Sequence, residues 1–313
     1  MKLAIVVVYL VGEDDGPLLD LHLSQIRNCT KVPYEIYASA NRLLPRFRER
    51  LDSDPNVRVC PCPPTELRGF REHSFYLEEL IRIAIDDGAT HVLMLNPDSF
   101  PVKEGWVREM ADGLSDATVL SAVRRDETDD HKPHPSCLLF PREFYLRYGP
   151  RILMSDEEIA SERGQAYQRE FHVILDTCAG YGFKLYCEGL GWNALLRSNR
   201  AADHYVIGSV YGDLVFHLGG ANRAAKIHMR ERRMIEHSFG KRSTRALNRL
   251  MRMGAKVLPE RARAFFRPYR GYVLAPGAQL ALDASQRAFD SARRQLIQDP
   301  DSYFRYLRTG RRD

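Results

Sequence analysis

The sequence lacks several things that would settle its class at once. No apolar run approaches the ~20 residues that a membrane-spanning helix needs. Its six cysteines, Cys29, Cys60, Cys62, Cys137, Cys178 and Cys187, include no C-x-x-C pair. That argues against a disulfide framework; Cys60-Pro61-Cys62 reads as reduced thiols beside a strand end, with a metal site as the alternative, and a cytoplasmic setting fits. No internal repeat and no low-complexity stretch is present, so a solenoid or a compositionally biased chain is not expected. The opening residues MKLAIVVVYLVGEDDG lack a small-residue cleavage site and run straight into acidic residues. A buried first strand is the expectation there, not a secretory leader.

What is present is a globular composition of 313 residues, 44% hydrophobic and 28% charged. The net charge of +5 conceals an asymmetry. Residues 223–313 hold 22 Lys and Arg against 8 Asp and Glu, while the first 222 residues hold 24 against 33. An acidic front suited to a metal and a small ligand is joined to a basic tail suited either to an anionic partner or to docking on that front.

Apolar runs at 2–11, 34–39, 56–60, 91–95 and 117–123 alternate with helical patterns at 17–28, 45–51, 72–86 and 104–114. This predicts an α/β fold: a mainly parallel central sheet with helices on both faces. The middle is read as a charged loop at 124–135 and a strand at 136–140. A helix, glycine turn and strand follow over 171–189, then a strand at 210–220. In parallel sheets ligands bind beyond the carboxyl ends of the strands. Asp98 in HVLMLNPDSFPVKEGW stands just past such an end, either as a turn residue or as a carboxylate placed to hold a divalent cation.

Leu95, Asn96, Pro97, Asp98, Pro101, Gly105 and Trp106 resemble the metal-binding segment of nucleotide-sugar glycosyltransferases of the GT-A (Rossmann-like) fold, family 2 in particular. In that family the usual pattern is D-x-D. Here Asn96 takes the first position, so the resemblance makes Asp98 the main carboxylate ligand of Mn2+ or Mg2+ and puts Asn96 beside the donor. Leu175-Asp176-Thr177 followed by GYGFKLYCEG resembles the segment with the catalytic base. It implies Asp176 as the base of an inverting transfer; a helix-capping Asp is the alternative. Phe216-His217-Leu218-Gly219-Gly220, with Asn222 and Arg223, resembles the late His motif. It implies His217 on the metal or the diphosphate, and Arg223 as a phosphate clamp. In that family the helix start before the metal strand faces the nucleotide, which implies His73 on phosphate or ribose; a plain N-terminal turn is the alternative.

Strand two departs from the family. It ends in Ser39 and Asn41 where relatives carry Asp, which leaves the donor base open. Asp14 and Asp15 are read as ligand-side or solvated turn charges. The cluster Asp126, Glu127, Asp129, Asp130, His131 and His134 is read as a solvated, mobile loop.

The expected organisation is a GT-A-like catalytic domain at 1–222 and a basic helical region at 223–313. Within the latter, Arg242, Arg245, Arg249, Arg252 and Lys256 line one helix face. The resemblance implies sugar transfer from a nucleotide-diphosphate sugar to an acceptor hydroxyl. A modified nucleic-acid base (in DNA, for example) and a lipid-linked glycan at a membrane surface both suit the basic tail as acceptors. The competing expectation is a non-catalytic nucleic-acid-binding protein on a degenerate fold of the same kind.

Overall fold

Leu3–Val8 is buried along its whole length. Alternate side chains point to opposite faces of a strand. Leu3, Ile5 and Val7 therefore enter one core, while Ala4, Val6 and Val8 enter another. A continuous apolar run is what a strand covered on both sides requires.

The computed structural model describes residues 1–202, 204–219 and 278–311. In chain order it forms β1 (Leu3–Val8), α1 (Gly16–Cys29), β2 (Tyr34–Ser39), α2 (Pro45–Ser53), β3 (Val57–Val59), α3 (Phe70–Asp86) and β4 (His91–Leu95). There follow β5 (Ser99–Pro101), α4 (Trp106–Asp112), β6 (Thr118–Arg125), β7 (Asp130–Pro141), α5 (Arg142–Tyr148), α6 (Asp156–Ala160) and α7 (Glu162–Glu170). The described chain continues with α8 (Ala179–Glu188), β8 (Gly191–Leu195), β9 (Ser209–Tyr211), β10 (Val215–His217), α9 (Ala278–Gln298) and α10 (Pro300–Thr309). Gly220, Asn222, Arg223 and the arginine-lined face at 242–256 lie outside the described residues.

The main sheet has seven strands in the order β3-β2-β1-β4-β7-β6-β8. The pairs β3/β2, β2/β1, β1/β4 and β6/β8 are parallel; only β7 runs against its neighbours. The expected mainly parallel α/β sheet is thus observed. Leu19, Leu23 and Ile26 of α1, Phe47 and Leu51 of α2, and Trp106, Val107 and Met110 of α4 fill one face. Leu77, Leu80, Ile81, Ala84 and Ile85 of α3, Phe144 of α5, and Tyr181 and Leu185 of α8 fill the other. Trp106 is wholly buried and its Nε1–H donates to Thr30 Oγ1 at 3.1 Å, so the Gly-Trp pair after Asp98 is a packing feature. Three short strands, β5-β10-β9, form a second sheet. Its aromatic side, Phe100 and Phe216, packs on Phe289, Leu296, Tyr303, Phe304 and Leu307 of α9 and α10.

Three expectations for the middle of the chain are corrected. Residues 124–135 are not a solvated loop. They form the end of β6, one 3-10 turn and the start of β7, a hairpin whose register shifts near Val123. Pro133 and Pro135 supply no ladder donor, and irregular pairing accommodates them. The segment expected to be a helix, a glycine turn and a strand is an irregular stretch to Cys178, then helix α8, then strand β8. Gly180 and Gly182 lie inside that helix. They are small because other groups come close: a Cβ on Gly180 would sit 2.3 Å from the Arg151 carbonyl oxygen, and one on Gly182 would sit 2.0 Å from Tyr167 Oη. The single strand expected at 210–220 is the hairpin β9/β10. Gly212 and Asp213 both have positive φ in the turn between the two strands, which the Leu214 N–H closes on the Tyr211 carbonyl at 3.0 Å.

Gly180 gives a test whose sign is informative. Helix propensity alone predicts that Gly180→Ala stabilises by roughly 0.5–1 kcal/mol. Backbone approach predicts the reverse, a loss of about 2–3 kcal/mol from overpacking, to be read from urea unfolding.

Candidate functional site

β4 delivers Asn96, Pro97 and Asp98 to the carboxyl edge of the sheet. The Ser99 N–H donates to the Asn96 carbonyl at 2.9 Å, so the segment is a turn. It is also a carboxylate site. β5 pairs with β10 so that Ser99 lies opposite His217, and the Leu218 N–H donates to the Asp98 carbonyl at 2.9 Å. This brings His217 Nε2 to 3.6 Å from Asp98 Oδ1, with both side chains buried. Beneath them His22 is fully buried, its Nδ1 2.9 Å from the Ser99 carbonyl. Burial pushes His22 down to about 4, against the pull of the Ser99 carbonyl and of Asp98. The ring is therefore neutral at physiological pH and donates through Nδ1–H.

The other predicted residues assemble around this pair. His73, in the first turn of α3, lies 3.5 Å from Thr177 Oγ1, and Ser74 Oγ donates to the same hydroxyl at 3.2 Å. Burial pushes His73 down to about 4, while Asp98 and Asp176 both pull it up. His73 thus stands within electrostatic reach of both candidate carboxylates. Asn96 Oδ1 is buried and makes no hydrogen bond. Asp176 precedes α8; its side chain is 37% exposed and lies 2.9 Å from Lys132 Nζ. It does not cap α8, whose N-cap is Cys178, so the capping alternative falls. Arg223 lies outside the described residues.

Further residues reach the site from the β6/β7 hairpin, whose charged and polar composition predicts a loop. Asp130 and Lys132 are buried, and His134 is half-buried with its ring 5.7 Å from that of His217. Arg125 Nη1 approaches His134 Nε2 at 3.4 Å, and Tyr211 Oη donates to Glu127. The readable signal was the period of two: Asp130, Lys132 and His134 alternate with His131 and Pro133, as one face of a strand must.

The residues at strand two and after β1 serve the scaffold. Asn41 Nδ2 donates to the Cys62 carbonyl at 2.9 Å, and Arg293 of α9 pairs with Asp15 at 3.1 Å. A recess beside the site is lined by Leu10, Val11, Asp15, Pro97 and Asp98.

The donor set can be tested against a divalent cation. Among the described residues no group of three or more His, Cys, Asp or Glu side chains is arranged to hold one. The oxygen and nitrogen of Asp98 and His217, with the orphaned Asn96 Oδ1 two residues before Asp98, fit a cation that completes its shell with ligands from outside the chain. They do not fit a closed structural metal centre.

No protein-family model matches the chain, and no curated protein matches it. Solved structures similar to it include mouse xyloside xylosyltransferase 1 in its apo form, at 11% identity over 62% of this chain and 85% of that one, TM-score 0.38. An active-site mutant of LgtC is similar at 10% identity over 63% and 73%, TM-score 0.36. A mannosyltransferase from Pyrobaculum calidifontis, solved with GDP-Man and Mn2+, is similar at 13% identity over 97% and 84%, TM-score 0.44. Among the described residues no helix is long and apolar enough to cross a membrane.

His22 makes stability pH-dependent in a defined direction. Its folded value of about 4 lies below the ordinary 6.5. Between these values the unfolded chain binds a proton that the folded chain does not, so stability falls as pH drops through that window. In His22→Asn, which keeps a donor toward Ser99, the loss between pH 7 and pH 4 shrinks by about 3 kcal/mol in urea unfolding.

Proposed function

We propose that the protein transfers a sugar from a nucleotide-diphosphate sugar to an acceptor hydroxyl, with inversion at the anomeric carbon. The observation that carries this is the meeting, at one sheet edge, of the Asp98–His217 pair, at 3.6 Å, with Asp176 across His73. One carboxylate is deep beside an imidazole, and the other is partly open to solvent. That division suits one group for the donor phosphates and the other for the incoming hydroxyl.

In this reading Asp98 and His217 would hold a divalent cation, Mn2+ or Mg2+, and Asn96 Oδ1 would face the same place. When bound, that cation supplies charge neutralisation for the departing diphosphate. The chain's own residues do the rest. His73, neutral at physiological pH, offers a hydrogen bond to phosphate or ribose without adding charge. Arg223 is retained as the proposed phosphate clamp. Asp176 takes the proton of the acceptor hydroxyl as that oxygen bonds to the anomeric carbon. The bond from that carbon to the phosphate oxygen breaks, and the nucleoside diphosphate leaves. The proposed organisation is a catalytic domain at 1–222 and a basic region at 223–313 that meets an anionic acceptor, a modified nucleic-acid base or a lipid-linked glycan at a membrane surface.

The test begins with thermal shifts on UDP-, GDP- and dTDP-sugars with Mn2+, followed by nucleoside diphosphate release. Asp98→Ala is expected to lower kcat/KM by about 100-fold or more. Asp176→Asn is expected to lower kcat by roughly 10²–10⁴-fold with donor binding retained. Wild-type release rates in both variants would sink the reading. Absence of any nucleotide response, together with salt-sensitive binding to DNA or RNA, would favour a non-catalytic binding protein instead.

A further inference from the structure

Lys132 sits on β7 with none of its side-chain surface exposed. An ammonium taken out of water is strongly disfavoured unless charge and hydrogen bonds replace the lost hydration. Here two carboxylates do so: Nζ lies 2.8 Å from Asp130 Oδ2 and 2.9 Å from Asp176 Oδ1. The second oxygen of Asp130 accepts the Ile174 N–H at 3.2 Å, and the Asp176 N–H donates to the Ile174 carbonyl at 2.8 Å. Asp130 therefore fixes both the ammonium and the backbone that carries Asp176. An apolar side chain could fill this space without any charge to compensate, so packing alone does not account for a lysine.

We propose that Lys132 is the positioning residue for Asp176: it clamps one carboxylate oxygen and holds the group toward the acceptor side of the site. This rests on Asp176 being the base. Lys132 is wholly enclosed, so it cannot touch the substrate and acts only through Asp176. It keeps its proton throughout. Burial opposes the charge, but Asp176 and Asp130 outweigh burial and raise Lys132 above its ordinary value. The other groups facing this trio are Arg125, which acts on Asp130 and Asp176, and His73, which acts on Asp176. Tyr167 faces Asp130, and Cys178 faces both Lys132 and Asp176.

The simpler role is a latch that only ties β7 to the 171–177 segment. Lys132→Met separates the two, because it keeps most of the side-chain length and removes the charge. Positioning predicts a kcat lower by about tenfold or more for nucleoside diphosphate release from UDP-glucose, GDP-mannose or whichever sugar donor the wild type turns over. Donor KM stays within about twofold, and Lys132→Arg recovers part of the rate. A folded Lys132→Met with wild-type kcat, or with a lower rate that Lys132→Arg does not recover, or with donor KM raised as much as kcat falls, overturns the proposal. If Lys132→Met does not fold, the pair Lys132→Met with Asp130→Asn removes the uncompensated charge and takes the same measurements. Full activity in Asp176→Asn would instead overturn the base assignment itself.

Discussion

A strand covered on both faces has no surface on which to place a polar side chain except beyond its end. β1 and β4 are such strands, each sending alternate residues into two separate cores. The chemistry they carry is pushed to the carboxyl edge, where Asn96, Pro97 and Asp98 leave β4. Once there, Asp98 cannot be oriented by its own strand. The short antiparallel pairing of β5 with β10 does that, by setting His217 opposite Ser99 and taking the Asp98 carbonyl into a backbone hydrogen bond. His22 secures the underside through the Ser99 carbonyl. The placement of the carboxylate follows from sheet coverage, and its aim follows from β5/β10.

The second half of the site obeys a different constraint. β7 is apolar where it lies between β4 and β6, from Cys137 to Phe140, and charged where it runs on beyond β4 in its hairpin with β6. In that extension Asp130 and Lys132 are still buried, because the 171–177 segment folds over them. Buried charges of opposite sign then do what a ladder of backbone bonds does elsewhere: they fix the position of a segment with no regular structure. The same segment bonds through Thr177 to the first turn of α3. Asp176 is therefore held from two sides, by β7 and by α3.

Most of the scaffold was legible because its signals are periodic and uncontested. Continuous apolar runs gave β1, β2 and β4, and 3.6-residue spacing gave α1 and α3. The ordered segments around Asp98, Asp176 and His217 were legible as motifs. The hairpin of β6 and β7 was not, because a strand whose buried positions are Asp130 and Lys132 looks like a solvated loop to any reading by hydropathy. Its partners, 44 residues further on in the pairing of Asp130 with Ile174, are a tertiary fact. α8 is not legible because glycine on propensity alone reads as a break in a helix. In place, Gly180 serves close approach to the Arg151 and Leu153 backbone, which no local pattern reveals. Asp15 had the same ambiguity: its partner Arg293 lies 278 residues away.

The C-terminal helices gain a role from the same alternation that organises the sheet. Phe216 lies between Val215 and His217 on β10, so its side chain must point away from both. It stacks on Phe100 at 5.2 Å and meets Phe304 at 5.5 Å and Tyr303 at 6.1 Å. Ring contacts of this kind are directional and add to the burial of the rings themselves. With Phe216 held by α10, β10 cannot rotate, and His217 on its other face cannot leave Asp98 without breaking that cluster. Arg293 of α9 adds a second tie, to the loop after β1 beside the Asp98 recess. The chain from 285 to 309 therefore bears on the geometry of Asp98 and His217, which makes it part of the site's framework.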